Sequence, residues 1–238
     1  MCYNCHEYIQ ECIESVVNQK YENYEVVIIN DCSVDNTQQV IKKIVNDNKK
    51  FKVIDNIERL GPLGNHIKAL SVKEFDDNDI IVHLDGDDKF IGSDVLSTLD
   101  NAYSKNKNHL VSYGNYKTAS GSASICKSWN KSISVSEYIA PVGWIFSHVR
   151  SFKYKLWTLI DKQKSFYDSN NKLFSSAGDV AIIKPILELA GRHRTMFFNK
   201  VMYFYRDNTS LNEHNDHLRD QIRCAFEIRN KPTLTLYD

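Results

Sequence analysis

The sequence predicts an α/β fold, a mostly parallel sheet with helices on both faces, and three observations point to it. Short β-branched runs alternate with amphipathic stretches of helical length. Two runs, within Glu25–Asn30 and Asp79–Leu84, are apolar without polar alternation, as strands covered on both faces are. Each ends in acidic turn residues, at the carboxyl end where open α/β sheets bind ligands.

Taken in order, Glu7–Gln19 carries Ile9, Cys12, Ile13, Val16 and Val17 at helical spacing, an amphipathic helix. The strand Glu25–Asn30 follows, then Asp31–Thr37, whose Asp, Ser and Asn residues favour caps and Asx-turns. A helix is expected over Asn36–Asn48 through Val40, Ile41, Ile44 and Val45, then a short strand at Phe51–Ile54. Gly61–Val72 reads as a helix opened by Gly and Pro, and Asp79–Leu84 as the next buried strand. Ser93–Lys105 and His109–Tyr113 supply another helix and strand. From Ser120 the alternation gives way to aromatic and basic residues, then to a helix at Val180–Ala190, an apolar strand at Met196–Tyr205 and a polar helix at Asn215–Arg229. No repeat or linker interrupts the chain, so residues 1–238 are expected to form one domain, divided near residue 115.

Composition excludes several classes. Lys plus Arg and Asp plus Glu balance at 30 each, so no global field draws nucleic acid or an anionic membrane. No apolar stretch approaches the roughly 20 residues of a bilayer span, and the expectation is a soluble, cytoplasmic protein. The 6 cysteines are too scattered for a disulfide framework. Cys2 and Cys5 have CxxC spacing, but without a second pair they read as incidental thiols. Two glycosylation triplets, at Asn130 and Asn208, carry no weight without a secretory route.

The chemistry concentrates in "HLDGDDKF", where Asp85, Asp87 and Asp88 follow a strand built to be buried. Buried carboxylates are costly unless solvated or neutralised. Asp85 and Asp87, two apart in a turn, can offer hard oxygen ligands to Mg²⁺ or Mn²⁺ from one side of the loop. A lone DxD is weak by itself, but here it shares a predicted rim with the acidic pair Asn30-Asp31.

From Cys2 to about Tyr113 the sequence resembles the nucleotide-sugar-binding half of the family 2 glycosyltransferases, enzymes of the GT-A fold. The likeness rests on Tyr3-Asn4, on Tyr8-Ile9 and Cys12-Ile13 before Ser15-Val16-Val17-x-Gln19, on Asn30-Asp31-x-Ser33-x-Asp35-x-Thr37 and on Asp85-x-Asp87-Asp88. It implies that Tyr3 stacks near the base, that Asp31 reads the base edge, that Asp85 contacts ribose and that Asp87 binds the metal, with Asp88 as auxiliary ligand. Asn65 and Lys68 stand where the family places donor contacts. The second half resembles the acceptor region of a subset of these enzymes: "GWIFSHVRSFKYKLW" offers His148 and Arg150 toward the diphosphate, "SAGDVAIIKPILELAG" places Asp179 as general base, and "MYFYRDNTSLNEH" matches a closing strand and loop.

The resemblance therefore implies a metal-dependent, inverting transfer of sugar from a nucleotide diphosphate, UDP-linked, to a hydroxyl of a glycan, protein or other acceptor, with Mn²⁺ or Mg²⁺ as cofactor. A degenerate domain that binds nucleotide or a partner without turnover is the alternative. A phosphatase-type Asp nucleophile is disfavoured, because its companion motifs are missing and Asn30-Asp31 would go unexplained. Residues alone leave other roles open. Asp31 and Asp179 each stand where a helix cap would, His148 and Arg150 could simply pack among aromatics, and His214 could be a further ligand or a solvated loop residue. One departure stands out: the family's opening apolar strand is represented only by Met1 and Cys2. Its absence would leave the Val26–Ile29 and Ile80–Leu84 strands without a shared neighbour, so either the sequence is a shortened form of a longer protein or another segment or subunit fills the slot. The expectation is lower stability or an unusual edge. Gly92 also replaces a common Pro.

Overall fold

The computed structural model describes residues 1–122, 124–139, 143–209 and 218–237. Helix α1 (Ile9–Val17) buries Ile9, Cys12, Ile13 and Val16, the apolar set whose spacing predicts it. Next come β1 (Val26–Asn30), α2 (Thr37–Val45) and β2 (Phe51–Asp55), a βαβ unit whose two strands pair in parallel from Val26 opposite Phe51 to Asn30 opposite Asp55. Helix α3 (Gly61–Ala69) opens with Pro62 in its first turn, where a missing amide proton costs nothing.

A second sheet gathers β3 (Ile80–Val82), β4 (Lys89–Phe90), β5 (Val111–Thr118), β6 (Ser151–Lys153) and β7 (Thr195–Tyr205) in the order β3-β6-β5-β7-β4. β5 and β7 are parallel, while β6 runs antiparallel to β3 and β5, and β4 antiparallel to β7. Strands β4 and β6 have 2 and 3 residues, too few to leave a period in the sequence, which is why neither is anticipated there. Helices α4 (Val95–Lys105), α5 (Val135–Ile139), α6 (Tyr154–Thr158), α7 (Lys162–Phe166), α8 (Gly178–Ala190) and α9 (Leu218–Arg229) complete the described chain. The main core packs β5, β6 and the aromatic segment around α8, which is buried on nearly all sides and holds its one buried Lys184–Glu188 pair at 2.9 Å. Among the described residues no helix is long and apolar enough to cross a membrane.

The two sheets do not join. β1 and β2 form their own sheet, and a cavity of about 700 Å³ lies between the edge of β1 and that of β3, lined by Val27, Ile28 and the run from Ile80 to Leu84. Met1 and Cys2 bridge the two edges at their carboxyl ends only. The expected unusual edge is therefore present, and it brings the ends of β1 and β3 to one rim.

Candidate functional site

The first part of the site grows from the end of β1. Asp31 is 3% exposed, and its carboxylate accepts hydrogen bonds from the backbone amides of Leu60 at 2.8 Å and Gly61 at 2.9 Å and from the Asn56 side-chain amide at 2.7 Å. Burial alone would raise its pKa, but these donors hold it below the usual carboxylate value. The capping role left open by the residues is thus resolved: Asp31 caps the start of α3, while Asp35 accepts from Thr37 at the start of α2. Asn56 also donates to Asn65 at 2.8 Å and accepts from Lys68 at 2.7 Å, so Asn65 and Lys68 reach Asp31 through it. Tyr3 lies beside this network with the Arg59 guanidinium 3.8 Å above its ring.

The second part is the Asp85–Asp88 turn after β3. The Asp88 amide bonds the Asp85 carbonyl at 3.1 Å, a tight turn that brings positions 85 and 88 together. Gly86 allows it, because its amide bonds the Met1 carbonyl and a Cβ there would stand 2.5 Å from the Cys2 Cβ. Tyr203 receives the Asp85 amide at 3.3 Å and donates its hydroxyl to Asp88 at 2.8 Å; the Arg206 amide bonds the other Asp88 oxygen, and its Nε bonds the Asp87 carbonyl. Even so the charges are crowded. Burial, then repulsion from Asp85, pushes the Asp87 carboxyl up to about 6, and burial with repulsion from Asp85 and Asp87 pushes Asp88 up to about 8.

Asp85, Asp88 and His148 each present one ligand atom, all within 4.8 Å of one another. His148 is buried, stacks on Tyr203 with ring centroids 4.2 Å apart, and has an Nδ1 without a partner. Burial, then the nearby Arg150 charge, holds its pKa well below the ordinary histidine value, so the ring is neutral and keeps a lone pair. Two crowded carboxylates and a neutral imidazole suit a divalent cation. The set shares Asp88 with the expected ligands and differs otherwise: Asp85, expected at the ribose, and His148, expected at the diphosphate, join it, and Asp87 is not among the three, the 85–88 turn juxtaposing positions three apart rather than two.

The third part faces the acceptor side. Arg150 is buried, and its two terminal nitrogens reach Asp179 at 2.7 Å and Asp85 at 3.8 Å, while its Nε has no partner. Burial would lower its pKa, yet the carboxylates Asp179 and Asp85 raise it, so the charge is fixed. Asp179 sits in the first turn of α8 after Ala177, a non-glycine residue at φ +54°, an arrangement that costs strain. Gly178 lets α3 pack close, its absent Cβ leaving 3.2 Å to the Leu63 amide.

The structure thus brings Asp85, Asp88, His148, Arg150 and Asp179 into one chain of contacts, and Asp31, Asn65 and Lys68 into another. Sequence reading passed over Asn56, Arg59, Tyr203 and Arg206. Asn56 directly follows a strand parallel to β1, a position that could have flagged it; the other three depend on approaches across the fold. His214, and residues 210–217 around it, lie outside the described residues.

Comparison with known proteins follows the same lines. The Glycosyl transferase family 2 model matches residues 1–175. The chain belongs to that family. It is 25% identical over 240 residues to the hyaluronan synthase of Pasteurella multocida, covering 99% of this chain and 23% of that protein, so it spans about a quarter of that relative's length. Among solved structures it resembles S. aureus TarS 1–349 in complex with UDP-GlcNAc, with a TM-score of 0.68 and 20% identity over 96% of this chain and 65% of that one. It also resembles the mannosyltransferase PcManGT from Pyrobaculum calidifontis in complex with GDP-Man and Mn²⁺, with a TM-score of 0.60 and 14% identity over 98% and 64% of the two chains. These likenesses establish the GT-A fold anticipated above.

Proposed function

We propose that this domain is a metal-dependent, inverting glycosyltransferase that moves a sugar from a UDP-linked donor to a hydroxyl acceptor. Family membership supports the reaction class, and the TarS complex with UDP-GlcNAc supports the donor class. The single observation that carries the reading is the line of contacts from Asp88 and His148 through Asp85 and Arg150 to Asp179. It joins a cluster that could hold a cation to a carboxylate on the far side of a buried guanidinium.

In this reading the nucleotide lies across the ends of β1 and β3, with Tyr3 against the base and the Asp31–Asn56–Asn65–Lys68 network at its edge. Asp85 faces the ribose. Asp88, Asp85 and His148 would hold Mn²⁺ or Mg²⁺, with Asp87 beside them, and the ion would supply Lewis acidity to the departing diphosphate. Arg150 orients Asp179 and presents its remaining donor toward the anionic leaving group. Asp179 takes the proton from the acceptor hydroxyl as its oxygen bonds the anomeric carbon, and the bond from that carbon to the diphosphate oxygen breaks on the opposite face. Such a displacement inverts the anomeric centre.

The test is UDP release from a panel of UDP-sugars with Mn²⁺, set beside UDP binding by calorimetry. Asp179→Asn is expected to cut turnover by about 10²–10⁴-fold, the range for a general base, with UDP affinity unchanged. Tight metal-linked UDP binding with no release from any sugar, with or without acceptor, would leave a binding domain instead. UDP binding indifferent to Mn²⁺ would defeat the reading.

A further inference from the structure

Tyr203 and Tyr205 lie two apart on β7, so their side chains leave the strand on one face. Both stack on His148, with ring centroids 4.2 Å and 5.4 Å from it and interplanar angles of 10° and 22°. Their hydroxyls are used differently. Tyr203 is fully buried, and its hydroxyl donates to Asp88 at 2.8 Å and accepts from the Asp85 amide at 3.3 Å. Tyr205 is half-buried, and its hydroxyl donates to none of the described residues.

That free donor is not an idle surface group. Tyr116 packs edge-on against both the Tyr205 ring, with centroids 5.8 Å apart, and the His148 ring, at 5.7 Å. A ring held between two neighbours presents its hydroxyl from a fixed place. Burial, then the charges of Asp88, Asp85, Asp87 and Asp179, raise the Tyr205 pKa, so the phenol keeps its proton. The same charges show that it stands within reach of both the cation cluster and the carboxylate held by Arg150.

A phenol proton calls for an oxygen to accept it. In the sugar-transfer reading most of the donor already has partners: the base at Tyr3 and Asp31, and the diphosphate at the cation cluster and Arg150. The hydroxyls of the sugar have none. We propose that Tyr205 reads the transferred sugar: its hydroxyl donates a hydrogen bond to a hydroxyl oxygen of that sugar, between the Asp85–Asp88–His148 cluster and Asp179. This deepens the sugar-transfer reading and rests on it. A site that bonds a substrate hydroxyl discriminates against sugars that lack it, so Tyr205 sets part of the choice of donor.

Calorimetry with Mn²⁺ tests this, with UDP and, separately, UDP-glucose, UDP-galactose and UDP-GlcNAc as titrants. Tyr205→Phe keeps the ring and its stacking contacts. Its affinity for UDP should therefore stay within about twofold of the unsubstituted chain, while that for the best-bound UDP-sugar falls about five- to tenfold, the scale of one neutral hydrogen bond. Replacing the partner hydroxyl of that sugar by hydrogen should cost the unsubstituted chain the same factor and Tyr205→Phe nothing further. Unchanged affinity of Tyr205→Phe for every UDP-sugar, or an equal loss for UDP and UDP-sugars, would overturn the proposal; the second result would put the hydroxyl on the cation or diphosphate instead. A failure of the transfer reading itself shows elsewhere, as UDP binding indifferent to Mn²⁺ in the unsubstituted chain.

Discussion

Asp31 and Asp88 stand at the carboxyl ends of β1 and β3 on one rim, both buried, and the fold treats them in opposite ways. Asp31 has its own donors, two backbone amides and the Asn56 side chain, and its pKa is depressed. Asp88 has the Tyr203 hydroxyl and the Arg206 amide, but Asp85 and Asp87 crowd it, and its pKa is raised. One carboxylate is satisfied by the protein and organises it. The other is left in excess negative charge that a cation can neutralise. Buried acidity alone therefore does not mark a metal site; the balance of donors against like charges does.

The largest expected effect separates the two by stability. Asp31→Ala strands the amides of Leu60 and Gly61 and one hydrogen of Asn56, and each buried donor without a partner costs about 1–3 kcal/mol. The melting temperature should fall by well over about 5 °C in a chain of this length. Asp88→Asn keeps an acceptor for Tyr203 or Arg206 and removes a carboxyl that must take up a proton on folding, so in metal-free buffer at neutral pH its melting temperature should hold or rise. If the two variants lose stability equally, the contrast is wrong.

Ligand binding should then rank the other way. Asp88→Asn is expected to weaken Mn²⁺-linked UDP binding by about 100-fold, the scale of losing a metal ligand or its close support. Calorimetry at fixed Mn²⁺ reads this directly. Gly86→Ala comes next in size: its Cβ would stand 2.5 Å from the Cys2 Cβ and 2.7 Å from the Met1 carbonyl, and overpacking of that kind costs about 1–3 kcal/mol. Because the clash falls on the turn that sets Asp85 against Asp88, UDP binding and melting temperature should drop together. A drop in melting temperature with unchanged UDP affinity would show that the turn does not position the site.

The contrast also explains how much was legible in advance. The helix α1, strands β1 and β2 and the approach of both acidic ends to one rim follow from apolar period and from turn chemistry, which are local. The donors to Asp31 were half visible: Asn65 and Lys68 stood out by resemblance, whereas Asn56, through which both act, was marked only by its place directly after a strand parallel to β1. The DxD spacing pointed to Asp85 and Asp87, with Asp88 beside them, whereas a backbone bond across the turn brings Asp85 close to Asp88, and the candidate cluster adds His148 from a segment 60 residues on, 148 less 88. Tyr203 and Arg206 close the site from β7 and the residue after it, by pairing with β4, a strand of 2 residues that no periodicity could announce. What escaped sequence reading is what long-range pairing decides.

The smallest expected effect is a pH dependence, and its sign differs at the two ends of the rim. Asp88, raised to about 8, and Asp87, raised to about 6, hold protons in the folded state that an unfolded carboxyl gives up near 4. At these two groups the folded state binds more protons, which lowers stability as pH rises. His66, His83 and His148, held below the ordinary histidine value by burial, bind fewer protons folded than unfolded and raise stability up to about 6.5, so the fall that Asp88 dictates stands uncovered from there to about 8. Asp31, depressed in the folded state, adds stability above the ordinary carboxylate range that is lost as pH drops into acid. Metal-free melting temperatures should therefore be highest near the ordinary histidine value of about 6.5 and decline on both sides. Saturating Mn²⁺ favours the ionised form of the Asp85–Asp88 turn, so it should flatten the alkaline decline and leave the acid one untouched, while Asp88→Asn should remove the decline between about 6.5 and 8 without any metal. A decline that persists unchanged in Asp88→Asn would place its origin away from β3, and the two strand ends would no longer differ in the way their hydrogen bonds require.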